Sequence, residues 1–148
     1  PQAIAQLMAD EALLPIHTHR GPFKLHITPK LTVLEGDALA IDVDVAGSFD
    51  AVYDRAAFVA LPPSMRAAYV QSLLRVLRPG GHVFLIGFVY DQAKIDGPPF
   101  SSDEALVRGA FTGCDVRVVD ERLEAPGPKF VAAGVDDLKE VLLVVEKR

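Results

Sequence analysis

The sequence predicts a single α/β domain, and three observations carry that expectation. Apolar runs bounded by glycine or charge alternate with stretches whose apolar residues recur every three or four positions. The chain has 148 residues, half of them apolar, which is enough to bury a substantial core. Finally, Val116 to Leu123 and Leu138 to Val145 are joined only by a Pro/Gly loop, so an antiparallel strand pair is expected at the C-terminal end.

Residues 2–14 place Ile4, Leu7 and Met8 at helical spacing, an amphipathic helix with Pro1 where a first turn favours proline. Pro15 to Pro29 holds proline, glycine and three histidines without clean periodicity, and reads as a connection with a short strand at Phe23–Ile27. Leu31 to Leu34 is a short strand ending in Glu35-Gly36-Asp37. A second connection leads to Phe49-Asp50-Ala51-Val52-Tyr53-Asp54, read as a buried parallel strand that delivers Asp54-Arg55 into the next turn. Pro62-Pro63 opens a helix in which Met65, Tyr69, Leu73 and Leu77 recur every four residues, and Arg78-Pro79-Gly80-Gly81 stops it. His82 to Phe88 is an apolar run bounded by glycines, expected to be a strand covered on both faces and ending in Tyr90-Asp91. A Gly97-Pro98-Pro99-Phe100 loop follows, and Ser101 with Glu104 makes a capping box for a helix to about Phe111. This order describes a Rossmann-type sheet, mostly parallel, with the antiparallel pair at its end.

Composition narrows the partners. Fifteen basic against twenty acidic residues give a net charge of −5, which argues against nucleic acid or an anionic membrane surface. No apolar run reaches the roughly 18 residues of a membrane span, and no secretory leader is expected. Cys114 is the lone cysteine, so no internal disulfide forms and a cytoplasmic location is expected. With no local activating partner, Cys114 reads as a structural thiol.

Several chemistries lack their signatures. There is no GxGxxG, GxxxxGK[ST] or GxSxG motif. His17 and His19 form an HxH pair, but no third ligand stands at metal spacing, so no metal site is expected; His26 and His82 read as isolated. Asp42 and Asp44 read as solvated charges rather than a carboxylate dyad. Three strand ends remain: Gly36-Asp37-Ala38, Asp54-Arg55 and Tyr90-Asp91, expected together on one rim of the sheet, where such folds bind ligands. Asp54-Arg55 has two readings: a turn cap beside a solvated charge, or a ligand-facing pair. On the ligand-facing reading Asp37 accepts from an exocyclic amine, and Arg55 offers a permanent positive fork. Positioning groups without a nucleophile suit group transfer from an activated cofactor.

Leu77-Arg78-Pro79-Gly80-Gly81 with the strand after it resembles an element of class I S-adenosylmethionine-dependent methyltransferases. Together with Phe49 to Val70, Tyr90-Asp91-Gln92 and Gly97 to Ser101, the chain from about Leu31 onward resembles the thiopurine S-methyltransferase family. The resemblance implies S-adenosylmethionine as cofactor, methyl transfer to a thiol or a related selenium or tellurium nucleophile, and a monomer. It implies that Gly36, Asp37, Ala38, Asp54 and Arg55 hold the cofactor, with Arg55 also catalytic. Tyr90, Asp91, Pro98, Pro99 and Phe100 would wall the acceptor, and Lys129 lies near a basic position of the substrate side. It also implies that a first strand with the cofactor loop, and a second ending in the ribose-binding acid, precede the family's equivalent of Pro1. Those strands would stand between Leu31–Leu34 and Phe49–Asp54. Their loss would leave apolar strand edges unpaired. Two other readings stay open: a class I methyltransferase with another small-molecule acceptor, and a truncated, non-catalytic interaction module.

Overall fold

The computed structural model describes residues 2–148; Pro1 lies outside the described residues. The chain builds two sheets rather than one. The first is antiparallel, with order β1 (Ile16–Arg20), β2 (Phe23–Ile27) and β3 (Thr32–Glu35). It follows helix α1 (Gln2–Asp10), which ends four residues before the expected limit and buries only Met8. Phe23 and Leu25 of β2 turn inward against Val45, a small core of their own.

The second sheet holds β4 (Phe49–Arg55), β5 (Leu77–Val89), β6 (Cys114–Leu123) and β7 (Lys139–Lys147), in the order β4-β5-β7-β6. β4 pairs parallel with β5, while β7 lies antiparallel between β5 and β6. Three strands therefore point one way and β7 points the other. The connection from β4 to β5 is α3 (Ala57–Ala60) and α4 (Pro63–Val76), which pack with α5 (Glu104–Ala110) over one face. A short helix α2 (Val43–Ala46) precedes β4, and α6 (Pro128–Ala132) fills the loop between β6 and β7.

Local chemistry explains most element ends. Pro63 sits at the first turn of α4, where a missing N–H costs nothing. Lys147 Nζ donates to the carbonyls of Leu74 and Leu77 at 2.6 and 2.7 Å, satisfying the open end of that helix with a cation. Tyr69, Val70 and Leu73 of α4 meet Val83, Leu85, Leu143 and Val145 of the sheet to form the main core.

Several expectations need correction. The strand before Gly36 does not share a sheet with β4 but belongs to the other one. β4 is an edge strand with β5 on one side only, so it is exposed except at Asp54 and, in part, Val52. A strand buried on both faces needs cover that nothing described here supplies to β4. The strand expected from His82 begins already at Leu77, because Gly80 at φ +74° lets Leu77 and His82 both pair with β4 across an irregularity. The cap of α5 is Asp103, whose Oδ1 accepts from Leu106 N at 2.8 Å. Ser101 is drawn away from that role, since its Oγ accepts from Tyr90 N at 3.3 Å. Asp42, read as solvated, caps α2.

Candidate functional site

Two strand ends meet at one rim. Arg55 at the end of β4 pairs with Ile86 of β5, and β5 runs on to Val89, Tyr90 and Asp91. Around Tyr90, Asp91 and Phe100 lies a cleft of about 570 Å³, which Arg66 and Leu106 also line.

The wall of this cleft is laced to the strand end. The Tyr90 hydroxyl donates to the Pro99 carbonyl at 2.6 Å, and Ser101 N donates to Gln92 Oε1 at 2.7 Å. Phe100 N donates to the Val59 carbonyl at 2.6 Å, and the Lys129 ammonium bonds the Pro98 carbonyl. Gly97, at φ +83°, is obligatory twice over. Its backbone sits where L side chains strain, and a Cβ there would come within 2.5 Å of the Phe100 ring. Burial pushes the Tyr90 phenol above its usual range, opposed by hydrogen bonds from Gln92 and Ser101 and by the Arg66 charge. Tyr90 is thus a neutral donor that holds the wall, not a base. Asp91 is exposed, and its Oδ1 accepts from Ala93 N at 3.1 Å.

The other sites separate. Arg55 is exposed and lines a smaller cleft of about 210 Å³ with Tyr53, Ile86, Asp120, Arg122 and Glu140. Among the described residues it has no hydrogen-bond or ion-pair partner. Asp54, beside it in sequence, is 2% exposed. Its Oδ1 accepts from Ala57 N and Phe58 N at 3.1 and 3.2 Å, and its Oδ2 from the Tyr69 hydroxyl at 2.9 Å. Asp54 therefore has the geometry of the turn-cap reading, with Ala56 held at φ +78° just beyond it.

Gly36, Asp37 and Ala38 follow β3 of the other sheet, so the three expected strand ends do not share one sheet rim. Gly36 has a packing reason of its own: a Cβ there would lie 2.4 Å from the Phe23 ring. Asp37 caps a 3-10 turn at Ala38–Ala40, its Oδ1 accepting from Leu39 N at 2.9 Å. That turn is tied back to α4 by Arg75, which donates to the Leu39 and Ile41 carbonyls.

The residue that sequence reasoning missed is Arg66. It is 5% exposed, with Nε donating to the Leu61 carbonyl at 3.2 Å and Nη2 buried without a hydrogen-bond partner among the described residues. A signal was present: Arg66, Tyr69, Val70 and Leu73 form one stripe at i, i+3, i+4 and i+7, which puts a charge on the buried face of α4.

Comparison with known proteins decides the family. The thiopurine S-methyltransferase family model matches residues 1–148. The chain belongs to the thiopurine S-methyltransferase family. It is 38% identical over 148 residues to the thiopurine S-methyltransferase of Vibrio cholerae serotype O1 (strain M66-2), covering 98% of this chain and 66% of that protein. The Pseudomonas entomophila (strain L48) member is 38% identical over 141 residues, covering 94% of this chain and 65% of its own. The Legionella pneumophila (strain Corby) member is 28% identical over 149 residues, covering 99% and 67%. The chain thus spans about two thirds of the length of these relatives. One solved structure, described as "Conversion of a Disulfide Bond into a Thioacetal Group during Echinomycin Biosynthesis", overlays with a TM-score of 0.50 at 22% identity. It covers 76% of this chain and 54% of that one, a likeness of fold alone.

Proposed function

We propose that this chain is the larger part of an S-adenosylmethionine-dependent methyltransferase whose acceptor is a thiol or a related selenium or tellurium nucleophile. The observation that carries the reading is the family match along the whole chain. The cleft lined by Tyr90, Asp91 and Phe100 supports an acceptor site; Pro98 and Pro99 do not line it, and their carbonyls accept from Lys129 and Tyr90 instead.

The residues on hand fit the cofactor in part. Asp37 Oδ2 has no hydrogen-bond partner among the described residues, so it is free to accept from an amine, with the exposed Gly36 and Ala38 backbone beside it. Asp54 does not fit as a ligand contact, since internal donors hold both its oxygens. Its part is to fix the turn that carries Arg55. S-adenosylmethionine supplies an activated methyl group when bound. Arg55 lines a separate cleft from the acceptor wall, so its part is a permanent positive charge that favours the acceptor thiolate through its field rather than by contact within that cleft. The laced wall orients the acceptor and keeps water out, so no covalent intermediate with the protein is required.

The fuller sheet belongs to this proposal as well. Among the described residues no strand pairs with the outer edge of β4, where the remaining strands of a Rossmann-like sheet would add. The same open edge favours the second reading, a non-catalytic interaction module. No described helix is long and apolar enough to cross a membrane. A cytoplasmic monomer acting on a small molecule is the proposed setting.

Calorimetric titration with S-adenosylmethionine and its demethylated product tests the first reading against the second. Micromolar binding is expected for the enzyme; a folded sample that releases no heat with either compound overturns it for this chain.

A further inference from the structure

Arg66 occupies an unusual position for a charged side chain. Its guanidinium carbon lies 4.8 Å from the centroid of the Phe58 ring and 5.5 Å from that of Phe100. Phe58 is fully buried in the core, whereas Phe100 is the half-exposed ring of the cleft wall. No carboxylate pairs with Arg66 among the described residues. Among the described residues its only hydrogen bond is from Nε to the Leu61 carbonyl, and Nη2 has no acceptor.

A buried cation without a counterion is costly unless something stabilises the charge. The two ring faces do so, because an aromatic quadrupole is negative over the face and a desolvated guanidinium above it gains most. Arginine suits this place better than lysine, since its flat, delocalised and weakly hydrated group stacks between two rings. The consequence is mechanical. Phe58 cannot move without opening the core, so Arg66 transmits that fixed position to Phe100. The backbone bond from Phe100 N to the Val59 carbonyl holds the same loop but leaves the ring's rotation free.

We propose that Arg66 is a positioning residue that clamps the Phe100 ring between core and cleft, and thereby sets how tightly a flat aromatic acceptor is held. This rests on the acceptor-site reading above. The clamp acts on acceptor binding and leaves the cofactor side untouched, because none of Gly36, Asp37 and Ala38 lies in the cleft that Arg66 lines.

The test uses the whole chain with Arg66→Met, Phe100→Leu and the double variant. Thiophenol and S-adenosylmethionine are titrated separately, and the Phe100 ring resonances are followed by NMR. Arg66→Met should weaken thiophenol roughly threefold to thirtyfold and shift the Phe100 ring signals. S-adenosylmethionine affinity should not change. The double variant should be no weaker than Phe100→Leu alone, since the clamp acts only through that ring. Wild-type thiophenol affinity in Arg66→Met, or losses that multiply in the double variant, would overturn the proposal. If Arg66→Met does not fold, Arg66→Lys replaces it: an intermediate loss supports the clamp and unchanged affinity sinks it. If wild-type protein takes neither thiophenol nor S-adenosylmethionine, the methyltransferase reading fails, and with it the acceptor role given to Arg66. The ring signals in Arg66→Met then report the clamp itself.

Discussion

The Tyr69 hydroxyl donates to Asp54 Oδ2 at 2.9 Å, joining the middle of α4 to the end of β4 inside the main core. Burial, reinforced by the Asp54 carboxylate, pushes the Tyr69 phenol far above its ordinary 10.0. In the unfolded chain that phenol ionises near pH 10, while the folded protein keeps its proton. Above that pH the unfolded state binds fewer protons, so stability is intact below about pH 10 and falls as pH rises further. Tyr90, shifted the same way by burial, adds to the trend. Urea unfolding of Tyr69→Phe should show a loss of about 1–3 kcal/mol at neutral pH and a shallower alkaline decline than wild type. Parallel alkaline slopes would show that Tyr69 is not the titrating group.

Gly36 separates a packing requirement from a ligand requirement. An alanine there must push its Cβ against the Phe23 ring, which is 2% exposed and has little room to yield. Gly36→Ala should cost about 1–3 kcal/mol through overpacking, read as a lower midpoint in thermal unfolding. An unchanged midpoint would show that the ring relaxes freely.

Arg55→Ala should leave folding intact, within about 0.5 kcal/mol, because the side chain is exposed and has no partner among the described residues. Methyl transfer to thiophenol, measured as methylated product per enzyme, should fall well below that of the parent. Turnover equal to the parent's would remove Arg55 from the site.

Cys114 is half-buried, and burial raises its thiol above the usual value of 9.0 against the opposing pull of Lys147 and Arg148. Less thiolate is then present near neutral pH. Reaction with a chromogenic disulfide at pH 8 should be slower than that of free glutathione, and a faster rate would mark an activated cysteine instead.

The candidate cleft was legible only where it lies within a few residues of chain. Tyr90, Asp91 and Phe100 do meet around one cleft, since the loop from Tyr90 to Ser101 closes on itself through short-range hydrogen bonds. Asp54 and Arg55 are adjacent in sequence yet diverge, one capping a turn inside the core and the other facing solvent, because neighbouring residues of a strand point to opposite faces. Gly36, Asp37 and Ala38 were expected on the same rim, but which strand pairs with which depends on partners far away along the chain. Arg66 is of a residue type that is mostly solvated, while the helix period puts it in the buried stripe.

The sequence by itself determined what local chemistry controls. Periodicity, proline, glycine and alternating apolar runs marked the long helix at Pro63–Val76, the strands around Phe49–Asp54 and His82–Phe88, and the terminal pair. Only the tertiary structure decided which strands share a sheet, that β4 forms an edge, and that two rings enclose Arg66. The physical reason is that propensity and capping act over a few residues. Strand partners, desolvation and ring stacking are set by groups tens of residues apart, and their energies exist only after the chain has folded.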